Sequence, residues 1–463
     1  MGIHTLMTTS STAAIAHLAD APVEDRLAAA ISIVAQQFPD RVAIVSQAGS
    51  QDRRTIDYAA IADRIVTLER QLDAMRPIGI VARAKQIESL VVIAAACGRQ
   101  HVPVAFLVED SRDLVGELRE WITLDDSLEL SCDANSARPC SVFDSVAAQI
   151  VVATSGTSGP PKLIEHSWDS LLASSRLAEQ WHGLGWLLVY DAARWAGLQV
   201  WLQALLTGGQ LVQPASRDPD TVARAIVEEH IAILPATPTL LRRLITSADR
   251  STLARLTFDR ITLGGEAADG QLLSQAHELF PAAKITQVYA TTELGEVFRV
   301  SDGLAGFPAA WLNRTLPGGA KLSMRRDGEL LVQLSRDTTE VATGDLIERR
   351  GNRYEFSGRR SDVIVVGGAK VFPRRAEELL RGVLGIADAR VYGLPSAITG
   401  ELVAAEVIIS EPLPAGQSPE SIRAAALAAC RMGLEPQSVP RILDIVKKIA
   451  TNPAGKIPRR PTV

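Results

Sequence analysis

Cysteine is scarce in this 463-residue sequence, and the four that occur, Cys97, Cys132, Cys140 and Cys430, show no CxxC spacing. This pattern does not supply a disulfide framework or a zinc cluster, and it is typical of a reducing cytoplasm, where we expect the protein to reside. No uncharged apolar run of about 18 residues is present, so we expect no membrane span. The N-terminal segment has no basic region ahead of an apolar one, so we also expect no secretory signal peptide.

An excess of positive charge is missing as well. Lys and Arg number 48 against 53 Asp and Glu, which gives a formal net charge of −5. Nucleic-acid-binding proteins usually have a basic bias, so we expect no nucleic-acid partner. Apolar residues, in contrast, are plentiful: 47% of the chain is hydrophobic and 22% is charged. This balance excludes a disordered chain and provides for a large core.

Short Val/Ile runs alternate with amphipathic segments along most of the chain. One βαβ pattern consists of a strand at 78–81, a helix at 90–97 and a strand at 102–106. Buried parallel strands have this composition, so the pattern predicts an α/β fold with a mostly parallel sheet core and flanking helices. Other strands are predicted at 42–45, 150–153, 187–190, 231–234, 261–263 and 285–289.

The pattern changes toward the C-terminus. From about Arg325 the segments become short strands separated by turn residues, and a tail that begins at Gly358 has strand and helix signals of its own. We therefore place a domain boundary near Ser357, which gives an N-terminal domain at 21–357 and a C-terminal domain at 358–463.

The sharpest motif is a Ser/Gly-rich loop directly after the apolar run 150–153. It reads Thr154-Ser155-Gly156-Thr157-Ser158-Gly159-Pro160-Pro161-Lys162. Small hydroxyl residues and glycines let backbone N–H groups approach an anion closely, and the lysine adds a positive charge, so the loop is a candidate phosphate cradle. The alternative is a flexible loop without function. A Walker A loop ends in Gly-Lys-[Ser/Thr], and Lys162 follows a proline, so a P-loop NTPase is disfavoured.

Together with four further motifs, this loop resembles the adenylate-forming superfamily of acyl-CoA synthetases, luciferases and peptide-synthetase adenylation domains. The loop departs from the family pattern at Leu163, where the family has glycine. The other motifs follow in the family's order: Val288-Tyr289-Ala290-Thr291-Thr292-Glu293, Thr343-Gly344-Asp345, the segment from Gly358 through Gly368, and Asn452-Pro453-Ala454-Gly455-Lys456-Ile457-Pro458-Arg459. The resemblance implies a large N-terminal domain with a small barrel-like subdomain, followed by a small, mobile α+β lid.

The resemblance also implies an AMP-forming acid–thiol ligase that uses ATP and Mg²⁺. The loop from Thr154 to Lys162 would bind the β- and γ-phosphates. Thr292 would bind the α-phosphate, and Glu293 would ligate Mg²⁺, a cation that prefers oxygen ligands. Lys456 would bridge the substrate carboxylate and the α-phosphate, because the transition state concentrates negative charge there.

The remaining nucleotide contacts follow from the same resemblance. Asp345 would accept hydrogen bonds from both ribose hydroxyls, supported by Arg359. The adenine side and the hinge would be formed by further matched residues, namely Gly264, Gly265, Glu266 and Tyr289 for the nucleotide and Ser361 and Asp362 for the hinge. The family usually has Asp or Lys at the position of Ser361, which leaves the hinge position open.

The acid is less well defined than the nucleotide. The segment Tyr190-Asp191-Ala192-Ala193-Arg194-Trp195 resembles the Phe-Asp-x-Ser-x-Trp stretch of amino-acid-activating domains, in which the Asp pairs with the substrate ammonium. Asp191 is therefore a candidate ammonium anchor or, alternatively, an ordinary strand-end residue, and Arg194 is a candidate partner for it or for an acidic substrate. The expected substrate is an amino acid or a small aryl acid, in a pocket lined by Asp191, Arg194, Trp195, Gly264, Val288 and Glu296.

The acyl acceptor is expected to be external, because no carrier-protein motif is present and Cys97 and Cys430 lie in apolar helical contexts. CoA or the phosphopantetheine of a separate carrier protein would accept the acyl group. Two alternatives remain: an amide bond synthetase that passes the adenylate to an amine, and a degenerate member that only binds or acts as a scaffold. The scaffold is disfavoured by the retention of four charged motif residues, Lys162, Glu293, Asp345 and Lys456.

Overall fold

The structure is a computed structural model, and the chain divides into two compact units. Unit 1 comprises residues 1–235 and 255–260, and unit 2 comprises 236–254 and 261–463. The predicted boundary near Ser357 falls inside unit 2 and stays a prediction. The described residues are 21–108, 111, 114, 118, 121–130, 150–154, 161–175, 177–247, 250–335 and 339–450.

Unit 1 is an α/β unit. Its helices are α1 (Arg26–Gln37), α2 (Tyr58–Met75), α3 (Ile87–Arg99), α4 (Trp168–Ala173), α5 (Trp195–Leu206) and α6 (Pro219–Glu228). Its strands are β1 (Val42–Ala48), β2 (Arg54–Asp57), β3 (Ile80–Ala82), β4 (Val104–Phe106), β5 (Ile122–Leu124), β6 (Ile150–Ala153), β7 (Leu163–His166), β8 (Gly185–Leu187), β9 (Gln210–Pro214) and β10 (Ile231–Ala236).

The strands of unit 1 run in two series, ordered β10-β8-β9-β1-β2 and β5-β3-β4-β6-β7. Pairing is parallel except at one edge of each series, where β2 and β7 run antiparallel to their neighbours. The inner strands β3, β4 and β6 and the helix α3 are buried almost throughout, as their continuous apolar runs predict. The mostly parallel core expected from the sequence is confirmed.

Helix and strand ends in unit 1 follow local signals. Asp57 caps α2, since its carboxylate accepts the N–H of Ala60 at 2.7 Å. The strand predicted at 187–190 ends earlier, at Leu187, although Leu188 still donates its N–H to the carbonyl of Val212 at 2.8 Å. The chain turns there toward the start of α5. The apolar pattern of the sequence continues past Leu187 and therefore does not predict the turn.

Unit 2 contains the remaining elements. Its helices are α7 (Pro238–Ser247), α8 (Arg250–Leu253), α9 (Gly270–Leu279), α10 (Pro373–Arg381) and α11 (Pro419–Gly433). Its strands are β11 (Arg260–Gly264), β12 (Lys284–Thr291), β13 (Gly295–Val300), β14 (Phe307–Pro308), β15 (Lys321–Met324), β16 (Glu329–Gln333), β17 (Val341–Arg350), β18 (Arg353–Arg359), β19 (Ile364–Val366), β20 (Ala369–Val371), β21 (Ile386–Ser396), β22 (Gly400–Ile409) and β23 (Ile442–Ile445).

Three strand groups build unit 2. The first orders β13-β12-β11, the second is the five-stranded antiparallel sheet β14-β18-β17-β16-β15, and the third is β20-β19-β22-β21 with β23 beside β22. The second sheet contains the short strands predicted from about Arg325, and we identify it with the small barrel-like subdomain that the resemblance implies. The third, covered by α10 and α11, has its own buried core around Val391, Val407 and Ile422, which agrees with the predicted α+β tail. In the described part of the chain, no helix combines the length and apolar character needed to cross a membrane.

Candidate functional site

The nucleotide half of the candidate site centres on Asp345, a buried carboxylate in β17. Antiparallel pairing places Arg359 of β18 directly opposite it, and the Arg359 Nε donates to Oδ1 at 3.0 Å. The Tyr289 hydroxyl donates to Oδ2 at 2.7 Å. Each carboxylate oxygen has two lone pairs and accepts from one donor among the described residues, so each retains a lone pair for a ligand hydroxyl. This arrangement fits a ribose diol.

The charges around Asp345 reinforce one another. Burial and the Asp345 carboxylate both raise the pKa of Tyr289 well above its ordinary value, so the phenol stays protonated and keeps donating. Burial lowers the pKa of the Arg359 guanidinium, but the charge and hydrogen bond of Asp345, together with Tyr289 and Asp362, outweigh burial, so the net shift of this pKa is upward. The Tyr289 ring is fixed by stacking on Phe298 and Phe356, with centroids 5.1 and 5.0 Å away. The predicted residues Tyr289, Asp345 and Arg359 therefore meet.

The turn before Asp345 depends on a glycine. Gly344 has φ of +74°, a conformation that residues with a side chain rarely adopt. The Thr343 hydroxyl donates to the carbonyl of Leu330 at 2.8 Å and accepts the N–H of Asp345 at 3.1 Å. The Thr-Gly-Asp order is thus a requirement of the backbone as well as of the carboxylate.

The candidate Mg²⁺ ligand lies in the turn between β12 and β13. Glu293 is exposed there and Thr292 is half-buried, while Thr291 accepts the N–H of Leu294 at 3.1 Å and stabilises the turn. Among the residues that the structure describes, no group of three or more His, Cys, Asp or Glu residues forms a metal cage. A single accessible carboxylate fits Mg²⁺, which usually takes one or two protein carboxylates together with substrate phosphates.

The predicted adenine-side residues lie at the end of β11. Gly265 has φ of +81°, so the chain turns sharply after Gly264. The Glu266 carboxylate accepts both the N–H and the hydroxyl of Thr239 in the first turn of α7, at 3.1 and 2.6 Å. Sequence reasoning did not foresee this capping role, which commits one oxygen of Glu266 to the fold.

Two predicted pocket residues lie on the β12–β13 hairpin. Val288 is half-buried on β12, opposite Arg299 of β13. Glu296 is in an ion pair with the same arginine, whose Nε lies 2.6 Å from Oε1. The charge of Glu296 is therefore balanced within the hairpin.

The phosphate-loop candidate in unit 1 is closed by hydrogen bonds at its base. The N–H of Thr154 donates to the carbonyl of Lys162 at 2.8 Å, and the N–H of Lys162 donates to the Thr154 hydroxyl at 2.9 Å. These bonds continue the antiparallel pairing of β6 and β7, and Lys162 is exposed. The predicted phosphate contacts Ser155, Gly156, Thr157, Ser158 and Gly159, like the predicted catalytic Lys456, lie outside the described residues.

Asp191 lies between β8 and α5, where its Oδ1 accepts the N–H of Ala193 at 3.0 Å. Arg194, the residue before α5, has its Nε 3.9 Å from Asp191 Oδ2. Gly197 lets α5 approach this loop, since a Cβ there would lie 2.0 Å from the Asp191 carbonyl oxygen. Trp195 is buried in the core, and its ring lies 4.3 Å from the ring of His166 on β7.

Arg217 is a site candidate that the sequence reasoning missed. It follows β9, the parallel neighbour of β8, so it lies at the same sheet edge as Asp191. Burial lowers the pKa of Arg217; the Asp191 carboxylate opposes this shift, and the charge of Arg194 adds to it. The negative charge of Asp191 therefore interacts with two guanidinium groups, those of Arg194 and Arg217. The available signal was the position of an arginine shortly after a strand that neighbours the Asp191 strand.

The predicted hinge lies in a short 3-10 turn at Arg360–Asp362. The Ser361 hydroxyl donates to Asp362 Oδ1 at 3.0 Å, so the two predicted hinge residues contact each other. Arg360 is paired with Asp327 and with Glu329. The assignment of Ser361 and Asp362 as the hinge stays a prediction.

A family model described as AMP-binding enzyme matches residues 67–318, more than half of the chain. The chain belongs to the AMP-binding enzyme family. A long-chain-fatty-acid–CoA ligase of Mycobacterium tuberculosis is 24% identical over 398 residues, which cover 78% of this chain and 76% of the relative. A 2-succinylbenzoate–CoA ligase of Geobacillus kaustophilus is 26% identical over 380 residues, which cover 75% of this chain and 73% of the relative.

A solved structure shows the same fold as this AMP-binding enzyme. The O-succinylbenzoate coenzyme A synthetase MenE of Bacillus subtilis, in complex with ATP and magnesium ion, aligns with a TM-score of 0.65 at 20% identity, covering 93% of this chain and 98% of that one. The predicted superfamily, the fold class and the assignment as an enzyme are confirmed. The predicted cofactors, ATP and Mg²⁺, are confirmed at the level of the family.

Proposed function

We propose that this AMP-binding enzyme activates a small carboxylic acid with ATP and transfers the acyl group to an external thiol. The observation that carries the proposal is the buried Asp345 carboxylate, which Tyr289 and Arg359 hold. Counting the donors of the described residues, each oxygen keeps one lone pair. That arrangement suits the ribose of ATP, and it occurs in a chain that matches the AMP-binding family model.

In the first step, an oxygen of the substrate carboxylate attacks the α-phosphorus of ATP. The bond from that phosphorus to the β-phosphate oxygen breaks, and pyrophosphate leaves. Asp345 and Arg359 fix the ribose, so that the α-phosphate is presented to the acid in one orientation. Thr292 binds the α-phosphate, and Glu293 is the residue that would hold Mg²⁺, which supplies positive charge to the phosphates.

In the second step, a thiolate attacks the carbonyl carbon of the acyl-adenylate, and AMP leaves. A thiol of the described chain is a poor candidate for this role. Burial raises the pKa of Cys97, and it raises that of Cys430 to about 11, so both remain protonated thiols. CoA is the acceptor that we propose, in line with the names of the two relatives.

The arrangement around Asp191 favours an acid without an ammonium group. An ammonium anchor needs a carboxylate whose charge the ligand balances, but two guanidinium groups already act on Asp191. We therefore propose an aryl or short acyl acid, with Arg194 and Arg217 near the substrate. The amino-acid alternative predicts the opposite preference.

An acid panel tests these assignments. Aryl acids, short aliphatic acids and amino acids paired with their deamino analogues are incubated with ATP and Mg²⁺, and pyrophosphate is measured. CoA, pantetheine and a simple amine are then supplied in turn, and the products are identified by mass spectrometry. We expect an aryl or short acyl thioester. A preference for the amino form overturns the acid assignment, and an amide as the only product overturns the thiol as acceptor.

A further inference from the structure

Glu329 is a buried carboxylate that the proposed reaction does not use. It lies in β16 with its side chain 5% exposed, and strand pairing sets it opposite Leu346, the residue after Asp345. A buried charge is unfavourable unless it is paired and hydrogen-bonded. The contacts of Glu329 therefore indicate what holds it in this position.

Within the described ranges, three groups donate to the Glu329 carboxylate, and two of them belong to residues adjacent in sequence to Asp345 and Arg359. Oε1 accepts the N–H of Gly344, the residue before Asp345, at 3.0 Å. Oε2 accepts from Arg325 Nη1 at 2.7 Å and from Arg360 Nη2 at 3.0 Å. Arg360 is the residue after Arg359.

The contacts of Glu329 with Gly344 and with Arg360 act at different points of the backbone. Gly344 has no side chain that could restrict its left-handed conformation, so the hydrogen bond from its N–H helps to define the turn that aims Asp345. The ion pair with Arg360 anchors the end of β18, where Arg359 reaches Asp345. Arg325 supplies a further positive charge beside Glu329.

We propose that Glu329 is a positioning residue for the ribose, which holds Asp345 through Gly344 and Arg359 through Arg360 without touching the nucleotide. The inference rests on the ribose role of Asp345 put forward under Proposed function. It predicts that loss of Glu329 weakens recognition of the two ribose hydroxyls specifically.

The test compares ATP with 2′,3′-dideoxy-ATP, which lacks both hydroxyls, in acid-dependent pyrophosphate exchange. We expect Glu329→Ala to lower the preference for ATP, measured as the ratio of the two kcat/KM values, by about tenfold, mainly through KM for ATP. Asp327→Asn is the matched control, because Asp327 also pairs with Arg360, while the Gly344 N–H donates to Glu329. Asp327 Oδ1 also accepts the backbone N–H of Glu329 at 3.4 Å, and the asparagine carbonyl can still accept that N–H. It should leave the ratio within about twofold of that of the unaltered protein.

Glu329→Gln covers the case in which the alanine variant does not fold. Glutamine retains a carbonyl that can accept the Gly344 N–H, so Glu329→Gln should keep a larger ATP preference than Glu329→Ala. If Glu329→Ala does not fold, Glu329→Gln alone should show an ATP preference less than about threefold below that of the unaltered protein. If the Glu329 variants lose activity with ATP and with 2′,3′-dideoxy-ATP by the same factor, Glu329 has only a structural role. This result overturns the inference.

Asp345→Asn separates this inference from the proposed function. If Asp345→Asn lowers the ATP preference and Glu329→Ala does not, only the positioning role is overturned. If neither variant lowers it, the ribose assignment fails and the inference fails with it. The double variant should show no larger loss of preference than Asp345→Asn alone, because both changes act on one interaction.

Discussion

Asp345→Asn is the substitution that tests the nucleotide site most sharply. It removes the negative charge and converts one carboxylate oxygen into an NH₂ group. In the structure the two oxygens accept from different donors, Arg359 Nε at 3.0 Å and the Tyr289 hydroxyl at 2.7 Å. An asparagine carbonyl can satisfy one of these donors, but its NH₂ group cannot accept from the other. The pair of acceptors offered to the ribose is lost together with the charge.

The size of the effect follows from the bonds involved. A hydrogen bond to a charged group contributes about 1.5–3 kcal/mol net. Two ribose hydroxyls bind Asp345 in our proposal, and asparagine retains one acceptor oxygen, so about one such bond and the charge are lost. We expect kcat/KM for ATP to fall about 10²-fold, equivalent to about 2.7 kcal/mol, mostly through an increase in KM.

Acid-dependent exchange of pyrophosphate into ATP, measured over a range of ATP concentrations, gives both constants. Asp302→Asn is the matched control, because Asp302 also pairs with an arginine, with Arg353 Nη1 2.7 Å from Oδ2, but is 40% exposed. It should change kcat/KM by less than about twofold. If Asp345→Asn remains within threefold of the unaltered protein, the assignment of the ribose carboxylate is refuted.

Three further predictions concern stability. Gly197→Ala places a Cβ 2.0 Å from a backbone carbonyl oxygen, whereas a Cβ at Gly318 meets nothing within 4 Å. In urea unfolding we expect the first to lower the free energy of unfolding by about 1–3 kcal/mol and Gly318→Ala to have a smaller effect. Asp57→Ala removes a helix cap and should cost about 1 kcal/mol, against less than about 0.5 kcal/mol for Asp63→Ala in the same helix. Burial raises the pKa of Tyr58, so above about pH 10 the unfolded chain releases this proton and the folded chain keeps it, and stability falls as pH rises. The melting temperature of Tyr58→Phe should fall less between pH 9 and 11 than that of the unaltered protein; an equal fall contradicts the assignment.

The sequence was sufficient for the parts of the molecule that depend on local pattern. Continuous apolar runs identify the buried strands of unit 1. Asp345 and Arg359 were selected by the resemblance of their motifs to those of a family, and the structure adds the physical reason that they meet. Gly344 adopts a φ of +74°, which glycine does readily, and antiparallel pairing sets Arg359 opposite Asp345.

Contacts between residues distant in sequence were not accessible in the same way. Arg217 acts on Asp191 because two parallel strands end at one sheet edge, and single-sequence reasoning does not fix the strand order. Glu266 caps α7 because the turn after β11 lies beside the start of that helix, 27 residues earlier in the chain. The spacing of residues in the sequence does not predict this contact. The sequence did not predict the burial of Glu329, because a strand glutamate in a turn-rich region is usually solvated.

Isotope transfer tests the central claim most directly. The acid accepted in the panel is labelled with ¹⁸O in its carboxyl group and incubated with ATP, Mg²⁺ and CoA, and AMP is analysed by mass spectrometry. If the carboxylate oxygen attacks the α-phosphorus, one labelled oxygen stays with that phosphorus when the thiol displaces AMP, so AMP should gain one ¹⁸O for each thioester formed. Unlabelled AMP, or label in inorganic phosphate together with ADP, would contradict the account.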